Sequence, residues 1–296
     1  MFKLYERVSK SEEYLYGIKP IEDNENPFAE GPWFLSISAQ YNNDTADRSN
    51  FGMAKEGMKM ARLRVRGQKN AGYNIKGFPV KFLAIQRESK KEENILSEDK
   101  AIFEFIQKYL YPLIEKDGQK IDVIQAMKNM RNVNIMCYCN GTTFAQNIEN
   151  VLIQRMQELG YNAEEIRKIQ SQMCMFPIAT DKLDGNQIST CISFKDINDD
   201  EVNENVTDEE IKKVEESSMG ETIIKYSENE IAYLFNGDGE HQLKKYTEDG
   251  KAIPVCLSSA VCKALENSIN NSTSDYFTPI SARTTYRRFY RNCTKC

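Results

Sequence analysis

Short apolar runs alternate with amphipathic stretches along most of the chain. Continuous apolar runs bounded by turn residues are typical of buried strands. Such runs occupy residues 32–39, 80–85, 133–138, 174–179, 189–194, 222–226 and 231–235. Apolar residues at helical spacing predict helices at residues 53–66, 100–115, 121–132, 143–159, 163–172 and 253–269. Because strands alternate with helices, the pattern predicts an α/β fold, a mostly parallel sheet with helices on both faces.

The alternation shows no firm domain boundary. We expect a single α/β domain over residues 1–280, followed by a basic and aromatic C-terminal tail at residues 281–296. The acidic stretch at about 196–218 is expected to be an excursion from that domain with mostly solvent-facing side chains, since runs of charge are usually solvated.

Composition narrows the classes of partner. The 296 residues carry a formal charge of −5, so electrostatics give no reason to expect nucleic acid as a partner. No apolar run reaches the length of about 18 residues that a transmembrane helix needs. The charged start of the sequence lacks the apolar segment of a standard secretory signal, although export without a cleaved signal stays open. Nothing in the sequence indicates the oligomeric state.

Eight cysteines are too few for a small disulfide scaffold. Four of them, Cys137, Cys139, Cys174 and Cys191, lie in apolar runs. Buried free thiols are typical of a reducing compartment, so we expect a cytoplasmic protein. No second pair at metal-binding spacing accompanies Cys293 and Cys296, and the chain has one histidine, so neither a metal nor another cofactor is expected.

The strongest chemical signal lies between the strand at 133–138 and the helix that follows it. Residues 137–142 read CYCNGT, a small residue, a central cysteine and a glycine in a strand-to-helix turn. A sharp turn exposes the side chain of its central residue, and the helix N-terminus favours a thiolate and a developing oxyanion. Cys139 is therefore the predicted nucleophile, and the backbone N–H of Asn140 is a predicted oxyanion donor.

This turn resembles the nucleophile turn of the α/β-hydrolase superfamily, and within it the dienelactone-hydrolase type with a cysteine nucleophile. That type carries Gly-x-Cys-x-Gly-Gly. Cys139 and Gly141 match this pattern, whereas Cys137 and Thr142 stand where the family has its first and last glycine. The resemblance implies an α/β-hydrolase-like fold and a Cys-His-Asp triad.

The family order of nucleophile, acid and histidine implies the other two members. The histidine follows the last strand, which is where His241 stands. The acid is expected after the strand at 189–194, where the family's Asp-x-Val pattern fits Asp200 best, with Asp196 as second choice and Asp199 as third. The resemblance also implies a second oxyanion donor after the first strand, at Gln40 or Tyr41.

Three functional hypotheses remain. The first is a hydrolase that uses Cys139, His241 and an aspartate for acyl transfer on an ester, thioester or amide, so that its partner is a small-molecule or acyl substrate. The second is a catalytically inactive relative that serves as an interaction protein, which the cysteine at position 137 favours. The third is a phosphate- or nucleotide-binding α/β protein that uses the N-terminus of the helix after Asn140. The absence of a glycine-rich fingerprint or a phosphate-loop lysine counts against the third.

Overall fold

The computed structural model of the chain describes most of residues 98–241 and several shorter segments before them. The structure describes residues 2–7, 12, 18–22, 24–29, 33–37, 81–87, 98–180, 183, 187–203, 206–218 and 220–241. The predicted helices at 53–66 and 253–269, the C-terminal tail and the four cysteines beyond residue 250 lie outside these ranges.

The described strands follow the apolar runs closely. They are Phe2–Arg7 (β1), Ile18–Pro20 (β2), Trp33–Ile37 (β3), Lys81–Arg87 (β4), Glu115–Lys116 (β5), Gln119–Lys120 (β6), Val133–Tyr138 (β7), Cys174–Ile178 (β8), Thr190–Asp196 (β9), Glu221–Lys225 (β10) and Glu230–Phe235 (β11). All seven predicted strands are confirmed, and β1, β2 and the small hairpin of β5 and β6 are additional.

Six α-helices accompany these strands in the described part of the chain. They are Glu98–Tyr109 (α1), Val123–Met130 (α2), Gly141–Glu158 (α3), Ala163–Gln170 (α4), Asp200–Asn203 (α5) and Asp208–Glu215 (α6). The helix predicted at 100–115 is too long, because α1 ends at Tyr109 and a 3₁₀ turn, Tyr111–Leu113, follows. Pro112 explains the early end, since proline lacks the N–H that an α-helix needs and disfavours helical backbone at the residue before it.

The sheet is mostly parallel, as predicted. Among the described strands the order is β10-β11-β9-β8-β7-β3-β4-β1-β2. The six central strands from β11 to β4 are mutually parallel, whereas β10, β1 and β2 pair antiparallel at the two edges. The protein is therefore of the α/β class.

Helices α1 to α4 pack on one face of this sheet. That face is lined by alternate strand residues such as Leu35, Ile135 and Met175, which form one core cluster with Ile106 of α1 and Ile148 of α3. On the opposite face Phe34 is fully buried, and its ring centroid lies 5.2 Å from that of Phe82 and 6.1 Å from that of Phe176. Helices on this second face stay a prediction.

The acidic stretch contains two short helices that the sequence analysis did not predict. Thr207 and Glu210 form a reciprocal capping box at the start of α6, and this satisfies backbone N–H groups that the helix leaves unpaired. Most side chains of the stretch face solvent, as expected, but Val206 and Val214 join Leu234 of β11 in a small core cluster of their own. The excursion is therefore anchored to the edge of the sheet.

The predicted residues Cys139, Asp199, Asp200 and His241 all follow the carboxyl ends of parallel strands. From β3 the chain first forms β4 on one side and then returns to form β7 on the other side of β3. Ligands of open α/β sheets bind beyond the carboxyl ends of the strands at such a reversal. Because β7, β9 and β11 run parallel, the segments that follow them leave the sheet at the same end, beyond the carboxyl ends of the strands.

Candidate active site

Cys139 occupies a strained turn between β7 and α3. Its φ of +51° lies in the left-handed region, which costs a residue with a side chain about 1–2 kcal/mol. The backbone N–H of Cys139 donates to the carbonyl of Ile178 at 3.0 Å, and its carbonyl accepts from the N–H of Thr142 at 3.0 Å. These bonds hold the turn, and the strand-turn-helix geometry predicted around the cysteine is present.

The other described cysteines are free, as expected, and buried beneath the surface. Burial raises the pKa of the Cys137 thiol to about 12. Burial also raises the pKa of the Cys174 and Cys191 thiols. Thiols with such pKa values are protonated near neutral pH and are poor nucleophiles. Cys139, which is only partly buried, is therefore the candidate nucleophile among the described cysteines.

The N-terminus of α3 lies directly behind this thiol. Asn140 is the N-cap residue and its side chain makes no capping hydrogen bond. The first N–H groups of a helix have no intrahelical acceptor and carry partial positive charge. The N–H of Asn140, the predicted oxyanion donor, lies at this end of the helix, and its oxyanion role stays a prediction. The other predicted donors, Gln40 and Tyr41, lie outside the described residues.

His241 lies at the end of a turn that Asp196 holds together. One carboxylate oxygen of Asp196 accepts from the N–H of Gly237 at 2.9 Å, and the other accepts from the N–H of Gly239 at 3.1 Å. Asp196 also accepts from the N–H of Asn198 at 3.0 Å. Asp196 is 2% exposed and ties the segment after β9 to the segment after β11, so its role is structural and it does not face the imidazole as an acid.

Both glycines of this turn are required by the space available. A Cβ on Gly237 would lie 1.9 Å from the Asp196 carboxylate. Gly239 has a φ of +76°, and a Cβ there would lie 2.6 Å from the carbonyl oxygen of Asn198. Residues without a side chain are therefore needed at both positions before His241 can reach the site.

The carboxylate that contacts His241 is Asp199. Its Oδ2 lies 2.8 Å from Nδ1 of the imidazole, and its Oδ1 accepts from the N–H of Glu201 at 3.1 Å. Asp199 is 1% exposed, whereas the His241 side chain is 16% exposed. The preference for Asp200 is corrected here, because Asp200 is exposed at the first position of α5 and Asp199 precedes that helix with its side chain turned inward.

Three side chains converge in front of the helix. Sγ of Cys139, a ring nitrogen of His241 and a carboxylate oxygen of Glu201 all lie within 4.8 Å of one another. Nε2 of His241 is 3.4 Å from Oε2 of Glu201. The ring of Tyr138 packs against the imidazole with the two centroids 5.4 Å apart. The structure thus brings Cys139, His241 and Asp199 together: Nδ1 of the imidazole is 2.8 Å from the Asp199 carboxylate, and a ring nitrogen lies within 4.8 Å of the Cys139 thiol.

Glu201 is the site residue that sequence reasoning missed. It stands in an acidic run, directly after the two aspartates that were considered, and its side chain is 68% exposed. Its place beside the thiol and the imidazole depends on the direction of α5. The only signal in the sequence was its position within the predicted acid segment.

The arrangement has the parts that acyl transfer needs. A thiol on a strained turn lies within 4.8 Å of an imidazole nitrogen, and a buried carboxylate lies 2.8 Å from Nδ1 of the same ring. No described helix is both long and apolar enough to cross a membrane. The sequence matches no protein-family model and no curated protein sequence.

Proposed function

We propose that this protein is a hydrolase of the α/β-hydrolase type that transfers an acyl group from an ester, thioester or amide through Cys139, His241 and Asp199. The observation that carries the proposal is the proximity of the imidazole to both partners. Nδ1 of His241 lies 2.8 Å from the buried Asp199 carboxylate, while a ring nitrogen and Sγ of Cys139 lie within 4.8 Å of each other. The chain order of nucleophile, acid and histidine also agrees with that superfamily.

Asp199 determines which nitrogen of His241 acts as the base. Its carboxylate accepts a hydrogen bond from Nδ1–H, which leaves the lone pair of the neutral ring on Nε2. Nε2 then takes the proton of the Cys139 thiol, and the resulting thiolate attacks the acyl carbonyl. Because Asp199 is almost fully buried, its negative charge also stabilises the imidazolium that forms.

The negative charge on the carbonyl oxygen develops next to the start of α3. The N–H of Asn140 donates to that oxygen, and the helix dipole stabilises it further. The imidazolium returns its proton to the leaving group, which departs and leaves a thioester on Cys139. The imidazole then takes a proton from water, the hydroxide attacks the thioester, and the free acid and the thiol are released.

Cys137 fits this scheme. The dienelactone-hydrolase type, which the turn resembles, has glycine at this position, two residues before its nucleophile. Here the Cys137 side chain is fully buried in the cluster between the sheet and helices α1 to α4. It therefore packs into the core without disturbing the Cys139 turn, and the cysteine at 137 gives no structural reason to prefer an inactive interaction protein.

Turnover of an activated phenyl ester and of an acyl thioester tests the proposal. Wild type is compared with Cys139→Ala and with His241→Asn. Asparagine places its amide nitrogen close to the position of Nδ1, so it keeps a donor for Asp199 but lacks a base. Each variant should lose about 100-fold or more in kcat.

Cys174→Ala is the matched control, because Cys174 is also a free thiol but is the first residue of β8, at the amino end of that strand, whereas Cys139 follows the carboxyl end of β7. It should keep wild-type turnover. Hydrolysis that survives in His241→Asn would exclude the triad. Wild-type protein that hydrolyses none of these esters or thioesters would favour the interaction protein instead.

A further inference from the structure

Three metal-ligating side chains meet at the candidate active site. Sγ of Cys139, a ring nitrogen of His241 and a carboxylate oxygen of Glu201 lie within 4.8 Å of one another. In a tetrahedral zinc site with bonds of about 2.0–2.3 Å, neighbouring ligand atoms lie roughly 3.3–3.6 Å apart. The separation of 3.4 Å between Nε2 of His241 and Oε2 of Glu201 already has this value.

A second observation concerns the free nitrogen of the imidazole. Nε2 of His241 is buried and has no hydrogen-bond partner among the described residues. Behind it, Nδ1 is 2.8 Å from the Asp199 carboxylate. Metal-binding histidines commonly donate their other N–H to a carboxylate, which fixes the ring and makes the ligating nitrogen more basic. His241 has this support in place.

We propose that Cys139, His241 and Glu201 together bind a Zn²⁺ ion, with water as the fourth ligand. A thiolate and an imidazole favour zinc over magnesium or calcium, which prefer oxygen ligands. The cysteine thiol loses its proton to the solvent as the Zn–S bond forms. The two negative ligands then balance the charge of the ion, and the exposed Glu201 side chain closes the site from the solvent side.

Zinc binding goes beyond the proposed hydrolysis and does not depend on it. One consequence does rest on the proposed function: a bound ion occupies both the nucleophile and the base. Zinc would then be a reversible inhibitor of acyl transfer. Removal of the ion by a chelator should restore the activity fully.

The affinity of the 296-residue chain for Zn²⁺ is measured by competition with a chromophoric chelator. Cys139→Ala and His241→Asn should lose one binding site per chain. Loss of a group behind a ligand already lowers metal affinity by 10- to 100-fold, so Glu201→Gln, which weakens a ligand itself, should bind at least about tenfold more weakly. Cysteines elsewhere in the chain bind equally in all variants and cancel in the comparison.

Glu216→Gln is the matched control. Glu216 has the same exposure as Glu201, 68% of the side chain, but it pairs with Lys212 on α6 and lies outside the three-residue cluster. Its removal should leave the affinity unchanged. Glu201→Gln is a surface substitution and should fold normally, so a wild-type affinity in this variant would overturn the three-ligand site.

Alkylation of Cys139 separates this proposal from the hydrolase proposal, because it needs no turnover. Zinc should protect Cys139 from iodoacetamide in wild type and protect it less in Glu201→Gln. Protection in a protein that hydrolyses nothing would keep the zinc site and reject the hydrolase. Unprotected Cys139 at saturating zinc, or turnover that zinc does not inhibit, would reject the zinc site alone.

Discussion

Replacement of Asp199 by asparagine should change which ring nitrogen of the neutral His241 carries the proton. The two carboxylate oxygens of Asp199 have different partners, because Oδ1 accepts from the N–H of Glu201 and Oδ2 faces Nδ1 of His241. Asparagine has one oxygen and one NH₂ group. The backbone N–H of Glu201 can only donate, so it takes the oxygen and the NH₂ group faces Nδ1. The neutral ring must then place its proton on Nε2.

A ring with its proton on Nε2 cannot take the proton of the Cys139 thiol. The expected fall in kcat is about 100- to 10,000-fold, which is the range of positioned general-base catalysis and of acid-to-amide changes in related triads. This range corresponds to about 3–5 kcal/mol of lost transition-state stabilisation. Asp200→Asn is the matched control, because Asp200 is the exposed neighbour of Asp199, and it should keep wild-type turnover.

The chain has a single histidine, so its imidazole can be observed directly. In protein labelled with ¹⁵N-histidine, the ring-nitrogen shifts of the neutral imidazole should report a proton on Nδ1 in wild type and in Asp200→Asn. They should report a proton on Nε2 in Asp199→Asn. The same tautomer in all three proteins, or a loss of turnover in Asp200→Asn alone, would refute this reasoning. The measurement gives an answer even where no substrate is turned over.

Three further results are expected. Cys139 should react with iodoacetamide near neutral pH before the three buried cysteines, and mass spectrometry that finds one of those labelled first would contradict the site. Gly239→Ala should lower the free energy of unfolding by about 1–3 kcal/mol and should also lower turnover, because its Cβ would meet the Asn198 carbonyl and displace His241. Wild-type turnover in this variant would contradict this. Burial raises the pKa of Tyr161 to about 12 from about 10, so the stability it contributes is present below about pH 10 and lost as the pH rises towards 12. Denaturant unfolding of Tyr161→Phe should therefore depend less on pH between 10 and 12 than wild type, and an unchanged slope would contradict the assignment.

The central strands could be predicted because burial on both faces leaves a continuous apolar run. Residues 133–138 and 174–179 show this, and they form β7 and β8 in the sheet. The strand β1 gives no such signal, because Lys3, Glu6 and Arg7 interrupt its apolar residues. It is defined by its pairing with β4, about 80 residues further along the chain, and local sequence does not encode such a partner.

The site shows the same division between local and distant information. Cys139 could be predicted as the candidate nucleophile because the strand, the turn and the helix around it are adjacent in sequence. The positive φ of Cys139 agrees with the sharp turn that was expected there. The sequence analysis ranked Asp200 above Asp199, because a local pattern does not show which of two consecutive side chains turns inward. The partner of Asp199, His241, comes from a segment about 40 residues further along the chain, which Asp196 holds in place through the N–H groups of Gly237 and Gly239.

The hydrogen bonds of Asp196 also bear on how the site can change in evolution. They join the acid and the histidine into one supported unit, while the Cys139 turn is held separately through the carbonyl of Ile178. A substitution at Cys139 therefore leaves the hydrogen bonds of Asp196 in place, and a substitution at Asp196 leaves the bond from Cys139 to Ile178 in place. Position 139 can thus vary by single substitutions, whereas Asp196 and Gly237 constrain each other, because a Cβ on Gly237 would lie 1.9 Å from the Asp196 carboxylate.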